Sequence, residues 1–177
     1  MANLLTAIRL LLVIPVAWGF ADPGLFPPWV LVVLIAVAIA SDYFDGIVAR
    51  ATNTASARGQ LFDHGTDFLF VSLGLAGLSM TGLIYPLLPL LIAIAFTQYV
   101  FDSYYLSKQK RLRMSFLGRW NGVFYFAPLV IAASARLEFL SSLETFLNLS
   151  VSIIAYSLIV STVASIIDRA IAPLRNA

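Results

Sequence analysis

The chain has 177 residues, 60% of them hydrophobic and 11% charged, with a formal net charge of +2 and a mean hydropathy of +0.92. A soluble globular domain carries about 45–50% apolar and about 25% charged residues, so this composition excludes one and calls for an integral membrane protein. Cysteine is absent, which removes disulfides, thiolate metal sites and cysteine nucleophiles from consideration.

At about 20 residues per span, the length accommodates about six helices and no large water-soluble domain. The apolar runs are continuous rather than alternating, which argues against a β-barrel. The first run, about Leu4 to Phe20, is broken early by Arg9 and has no cleavage-site pattern after it, so a retained helix is expected. It ends at A-D-P-G-L-F-P-P, a loop dense in proline and glycine. The second runs from about Trp29 to Arg50 and the third from about Gly59 to Met80, closed by T-G-L-I-Y-P. The fourth covers about Pro86 to Leu106, the fifth about Phe116 to Ala135 and the sixth about Thr145 to Ala172. No internal repeat is visible. The expectation is an all-α membrane protein of six transmembrane helices forming one domain, residues 1–177.

Six spans put both termini on one side together with the second-to-third and fourth-to-fifth connections. That side receives Arg9, Arg50, Arg58, Lys108, Lys110, Arg111, Arg113, Arg119, Arg169 and Arg175, ten of the eleven basic residues. Arg136 alone falls opposite, beside Asp22, Glu138 and Glu144. Cytoplasmic connections carry the excess of Lys and Arg, so both termini are expected in the cytoplasm.

The stretch from Asp42 to Asp67 breaks the apolar pattern and reads D-x2-D-G-x2-A-R-x8-G-x3-D-x3-D. Ionisable groups at membrane depth are costly unless paired, hydrated or bound to metal, and mark function by default. Asp42 and Asp45 are three residues apart, Asp63 and Asp67 four, so each pair shares a helix face. An antiparallel helix pair would make the two pairs face each other. Four converging carboxylates need compensating cations, and an all-oxygen set suits hard ions such as Mg²⁺, Mn²⁺ or Ca²⁺. Two such ions would clamp the attacking and leaving oxygens of a phosphoryl displacement. Gly46, Ala49 and Gly59 leave room for a ligand, and Arg50 offers a fork of donors to phosphate. Together they suggest a nucleotide diphosphate. Small and polar residues in membrane helices also serve packing alone. Four Asp with flanking Gly and Arg at these spacings exceed what packing needs.

The eight fixed positions of this pattern resemble, one for one, the signature of the CDP-alcohol phosphotransferase family (class I CDP-alcohol phosphatidyltransferases). N-L-L-T-A-I-R-L near the N-terminus is similar to the N-x-L-T-x-x-R opening of its phosphatidyl-transferring members. The resemblance implies transfer of a substituted phosphoryl group from a CDP-alcohol to a second alcohol, with release of CMP. It implies two divalent ions, Mg²⁺ or Mn²⁺, on Asp42, Asp45 and Asp63, with Asp67 adding ligation or acting as general base. Gly46, Ala49, Arg50 and Gly59 would hold the CDP moiety. The active site would lie near the cytoplasmic ends of the second and third helices, in the cytoplasmic membrane of a bacterium. Expected partners are the CDP-alcohol donor, a small or lipid alcohol acceptor, membrane lipids and a second copy of the chain in a homodimer, with no nucleic acid.

Two features bear on the substrates. L-F-D-H-G-T-D is similar to the D-H-G of choline and ethanolamine phosphotransferases, whereas bacterial phosphatidylglycerophosphate synthases carry D-P-x-x-D-K where this chain has His64 and Phe68. K-Q-K-R-L-R, with Arg111 and Arg113, and then Arg119 would favour an acceptor bearing its own phosphate, such as glycerol 3-phosphate. Basic juxtamembrane clusters also arise from orientation and anionic lipid alone. CDP-diacylglycerol with a phosphorylated polyol is therefore the first reading, and CDP-choline or CDP-ethanolamine with diacylglycerol the second. A divalent-cation transporter is the reading from another class; it leaves Gly46, Ala49, Arg50 and Gly59 without a role. His64 points about 100° from Asp63 on a helix and is expected to support or pack rather than ligate. Asp102 either orients an acceptor hydroxyl or pairs with Arg111. Arg9 and Asn3 either reach a phosphate or snorkel to the interface.

The orientation is checked with engineered cysteines. Lys110→Cys in intact cells should resist an impermeant thiol reagent applied from outside, and Glu144→Cys should react; the reverse pattern overturns the topology.

Overall fold

A computed structural model describes residues 2–51, 57–103 and 116–175, and the described residues form helices and turns, with no strand among them. The helices are α1 (Ala2–Ala21), α2 (Pro28–Ala51), α3 (Ala57–Met80), α4 (Leu87–Phe101), α5 (Phe116–Phe124), α6 (Phe126–Ala135) and α7 (Glu144–Arg175), with a 3-10 turn at Glu138–Leu143. They follow the six apolar segments with one difference, the division of the fifth into α5 and α6. Pro128 accounts for it: its ring clashes with the carbonyl of the residue four back, Phe124, where α5 stops.

Among the described residues, three stretches are long and apolar enough to cross a membrane: Pro28–Asp45, Phe116–Ala135 and Glu138–Ile171. Leu5–Ala21 and Leu87–Phe101 are apolar but shorter. α3 contains no such window, because Arg58, Asp63, His64 and Asp67 occupy its first half. Large apolar side chains such as Leu11, Trp18, Trp29, Val33, Ile153 and Val160 point outward, as a helix bundle surrounded by lipid requires.

α1 packs on α2 and α3, α3 also on α4 and α6, and α7 on α4, α5 and α6. Each buried stripe changes character along its length. On α1 it reads Thr6, Arg9, Val13, Val16, Phe20, and on α2 Leu31, Ile35, Ala38, Ser41, Asp45. On α7 it reads Val151, Ala155, Leu158, Thr162, Ser165. The 3–4 residue spacing is that of a helix face, and the polar members lie at one end in every case.

The opposite end is apolar and closed by Arg136, the one basic residue expected on that side. It donates to the carbonyls of Gly19 (2.7 Å) and Phe20 (3.1 Å), and its guanidinium lies 5.4 Å from the centre of the Phe20 ring. Its charge thus meets the last carbonyls of α1 and their dipole. α1 and α3 touch backbone to backbone at Gly77: a Cβ there would lie 3.0 Å from the Ala17 carbonyl carbon and overlap the oxygen. Gly82, at φ +77°, makes the left-handed turn after α3.

Gly77→Ala should therefore force α1 and α3 apart and cost roughly 1–3 kcal/mol, read as a lower unfolding temperature in detergent. Gly65→Ala, where a Cβ meets nothing within 4 Å, should leave that temperature level or raise it.

Candidate active site

The polar ends of the stripes meet around one guanidinium. Arg9 projects from α1 with its side chain fully buried. Its Nη1 donates to Asp42 Oδ1 of α2 at 3.0 Å, and its Nη2 to Asp63 Oδ1 of α3 at 3.0 Å. Nη1 also pairs with Asp67 of α3. One turn below, the Thr6 hydroxyl donates to Oδ2 of the buried Asp45. α1 therefore ties together the two acidic pairs on α2 and α3.

Three of the four expected carboxylates share Arg9, while Asp45 turns inward to Thr6. Arg9 thus neither snorkels nor reaches outward: its whole side chain is shielded from solvent. The carboxylates themselves grade from Asp42, with 48% of its side chain exposed, through Asp63 and Asp67 to the enclosed Asp45.

The donor set fits a hard divalent ion. Asp45 Oδ1 is buried with no hydrogen-bond donor among the described residues, an arrangement that leaves a carboxylate oxygen open to a cation. Asp63, His64 and Asp67 offer ligand atoms that all lie within 4.8 Å of one another. His64 thus stands nearer the acidic pair than its offset on the helix suggests, with its ring edge-on to Tyr99 at 6.3 Å. Gly46, Ala49 and Arg50 fall in the last turns of α2 and Gly59 in the first turn of α3. The side-chain placements of Ala49 and Arg50 lie outside the description, as does that of Asn3.

A cavity of about 600 Å³ opens beside the carboxylates. Asp42, His64 and Asp67 line one side of it, and Val71, Ile92, Phe96, Val123 and Phe126 make much of the remaining wall apolar. Arg119 of α5 lines it too; Arg111 and Arg113 lie outside the described residues. Arg169 of α7 is an addition. It also lines the cavity, lies 5.1 Å from the centre of the Tyr99 ring, and pairs with Asp102 at 3.7 Å. Asp102 therefore has Arg169 beside it, a partner that its local sequence does not suggest. A signal for Arg169 is present all the same: it continues the α7 stripe one turn beyond Ser165.

The family model of the CDP-alcohol phosphatidyltransferases matches residues 1–163. The chain belongs to that family. No curated protein and no solved structure matches it. Membership in the CDP-alcohol phosphatidyltransferases makes the chain a transferase acting on a CDP-alcohol donor and an alcohol acceptor in a membrane. These enzymes generally depend on divalent metal, in keeping with the acidic group at the cavity. The matched segment holds Thr6, Arg9, the whole carboxylate pattern and Arg119, and ends before Ser165 and Arg169.

The Thr6–Asp45 contact yields a direct check. Thr6→Val keeps the side-chain shape but leaves both oxygens of a buried carboxylate without a donor. It should destabilise the metal-free protein by about 1–3 kcal/mol, measured by thermal unfolding in EDTA, with Mg²⁺ recovering some of the loss.

Proposed function

We propose that the chain is a phospholipid-synthesising transferase that moves a phosphatidyl group from CDP-diacylglycerol to a small phosphorylated alcohol, releasing CMP. The observation that carries this reading is the juxtaposition of the carboxylate row with a largely apolar cavity that also exposes Arg119. In the reaction, the acceptor oxygen forms a bond to the β-phosphorus of the donor and the bond from that phosphorus to the CMP oxygen breaks. The acceptor proton passes to Asp67, which lines the cavity where the hydroxyl would lie. Asp42, Asp45 and Asp63 would hold the divalent ions, with Asp67 alongside. Such ions, when bound, polarise the diphosphate and neutralise charge on the leaving CMP. Gly46, Ala49, Arg50 and Gly59 hold the cytidine diphosphate by their match to the family pattern. Arg119, with Arg111 and Arg113 of the adjoining connection, receives the acceptor phosphate.

The same reading sets the chain as one domain of six spans, with α5 and α6 making the fifth and α3 crossing despite its charges. Its Asp63 and Asp67 turn toward Arg9 of α1, as the pairing requires. Both termini and the active site then face the cytoplasm, on the side of the ten basic residues.

A second reading has a specific observation behind it. The apolar wall of the cavity and the D-H-G at Asp63–Gly65 suit diacylglycerol as acceptor, with CDP-choline or CDP-ethanolamine as donor. Cytidine-labelled donors and a panel of alcohols decide between them: CMP release with CDP-diacylglycerol and glycerol 3-phosphate supports the first, and release only with diacylglycerol supports the second. Metal flux in proteoliposomes without CMP release under any pairing would favour cation transport.

Activity should disappear in EDTA and return with Mg²⁺ or Mn²⁺, and Asp42→Asn, Asp45→Asn and Asp63→Asn should each remove nearly all turnover. Asp67→Asn should bind donor in calorimetry yet turn over at least about a hundredfold slower, the scale of a lost general base. Arg50→Ala should instead weaken donor binding itself. Normal turnover in Asp67→Asn would assign the base elsewhere.

A further inference from the structure

A buried arginine among metal-binding carboxylates is an unusual neighbour for an incoming cation. Arg9 is completely enclosed, and its two terminal nitrogens are committed to Asp42, Asp63 and Asp67. We propose that Arg9 is the chain's own counter-ion for the carboxylate row, so that a divalent ion enters by exchange against its guanidinium. The proposal rests on the metal reading above.

Three observations support exchange. The first is charge: Asp42, Asp45, Asp63 and Asp67 would carry four negative charges when fully ionised, and Arg9 offsets one of them from within the cluster. A divalent ion bound beside it would feel a like charge at contact range, where such pairs shift equilibria by about ten- to a thousandfold. The second is geometry. α1 is held against α3 at Gly77 and at its far end by Arg136, so relief comes from the side chain rather than from withdrawal of the helix. Arg9 Nε has no partner among the described residues, which leaves the guanidinium anchored only through the carboxylates it would release. The third is the division of labour. Arg9 does not touch Asp45, whose free Oδ1 remains available to an ion while the guanidinium still holds the other three.

The competing account makes Arg9 a brace that aligns the carboxylates and aids the ion. The two accounts predict opposite signs for ion affinity. The full chain is purified in detergent, and Mg²⁺ alone is titrated by calorimetry. Exchange predicts that Arg9→Gln binds Mg²⁺ about tenfold tighter than the wild type. It also predicts a lower unfolding temperature for that variant in EDTA, with a larger upward shift on adding Mg²⁺. Should Arg9→Gln fail to fold, Arg9→Lys is read in its place. A single ammonium lacks the fork that bridges two helices, so it too should bind Mg²⁺ more tightly, by a smaller factor.

Equal or weaker Mg²⁺ affinity in a folded variant, with the wild type binding, overturns the exchange and leaves the metal reading standing. Absence of Mg²⁺ and Mn²⁺ binding in both wild type and variant overturns the two together.

Discussion

A guanidinium with no access to water is the constraint on which the arrangement of α1, α2 and α3 depends. Burying a charge without partners costs far more than a bundle of this size can absorb, and breaking a buried pair typically costs about 3–5 kcal/mol. Arg9 can sit where it does only if carboxylates arrive from two other helices, as Asp42 and Asp63 do. That requirement favours one set of helix neighbours in one rotation. In lipid this matters more than in water, because apolar contact alone does not distinguish one helix face from another.

The same logic runs through the other helices. Each buried stripe is apolar at one end and polar at the other, so the bundle assembles with its hydrogen-bonding groups gathered at one level. At that level Tyr125 meets Thr162 at 2.7 Å and Ser161 donates to Asn121 at 2.6 Å, joining α7 to the break between α5 and α6. The cavity lies among these groups and the carboxylates, so the pocket's chemistry follows from the stripes that build it. The other end supplies packing density, with Phe20, Leu31, Leu75, Leu78 and Leu88 almost wholly enclosed.

Local patterns were the legible features of the chain. Segment positions follow from runs of apolar residues and their Pro/Gly punctuation, and the carboxylate pairs follow from spacings of three and four on a helix. What stayed hidden was pairing over distance. Arg9 lies 33 residues from Asp42 and 54 from Asp63, and nothing local states that a cation in the first helix meets anions in the next two. Its position in the stripe Thr6, Arg9, Val13, Val16, Phe20 did signal burial, because the same face carries the packing residues further along. Asp102 shows the converse. Arg169, brought beside it from α7, lies 3.7 Å away, and no local pattern announces that contact, while Arg111, which the nearby basic run suggested, lies outside the described residues. The effect of Pro128 was readable but easily passed over, since hydropathy runs evenly through the residues it interrupts.

α1 is tethered at two levels, by Arg9 to the acidic residues and by Arg136 to the carbonyls of Gly19 and Phe20. The ten residue steps from Arg9 to Gly19 rise about 15 Å, at roughly 1.5 Å each. A helix held only at one end can tilt or slide to suit a thicker or thinner bilayer, but this one is a strut whose length is set by protein contacts. One added residue would turn everything beyond it by about 100° and break the upper or the lower tether. With α1 as the first of the six proposed spans, hydrophobic mismatch would fall to the lipid around the bundle, which would thin or thicken to meet a distance the protein dictates.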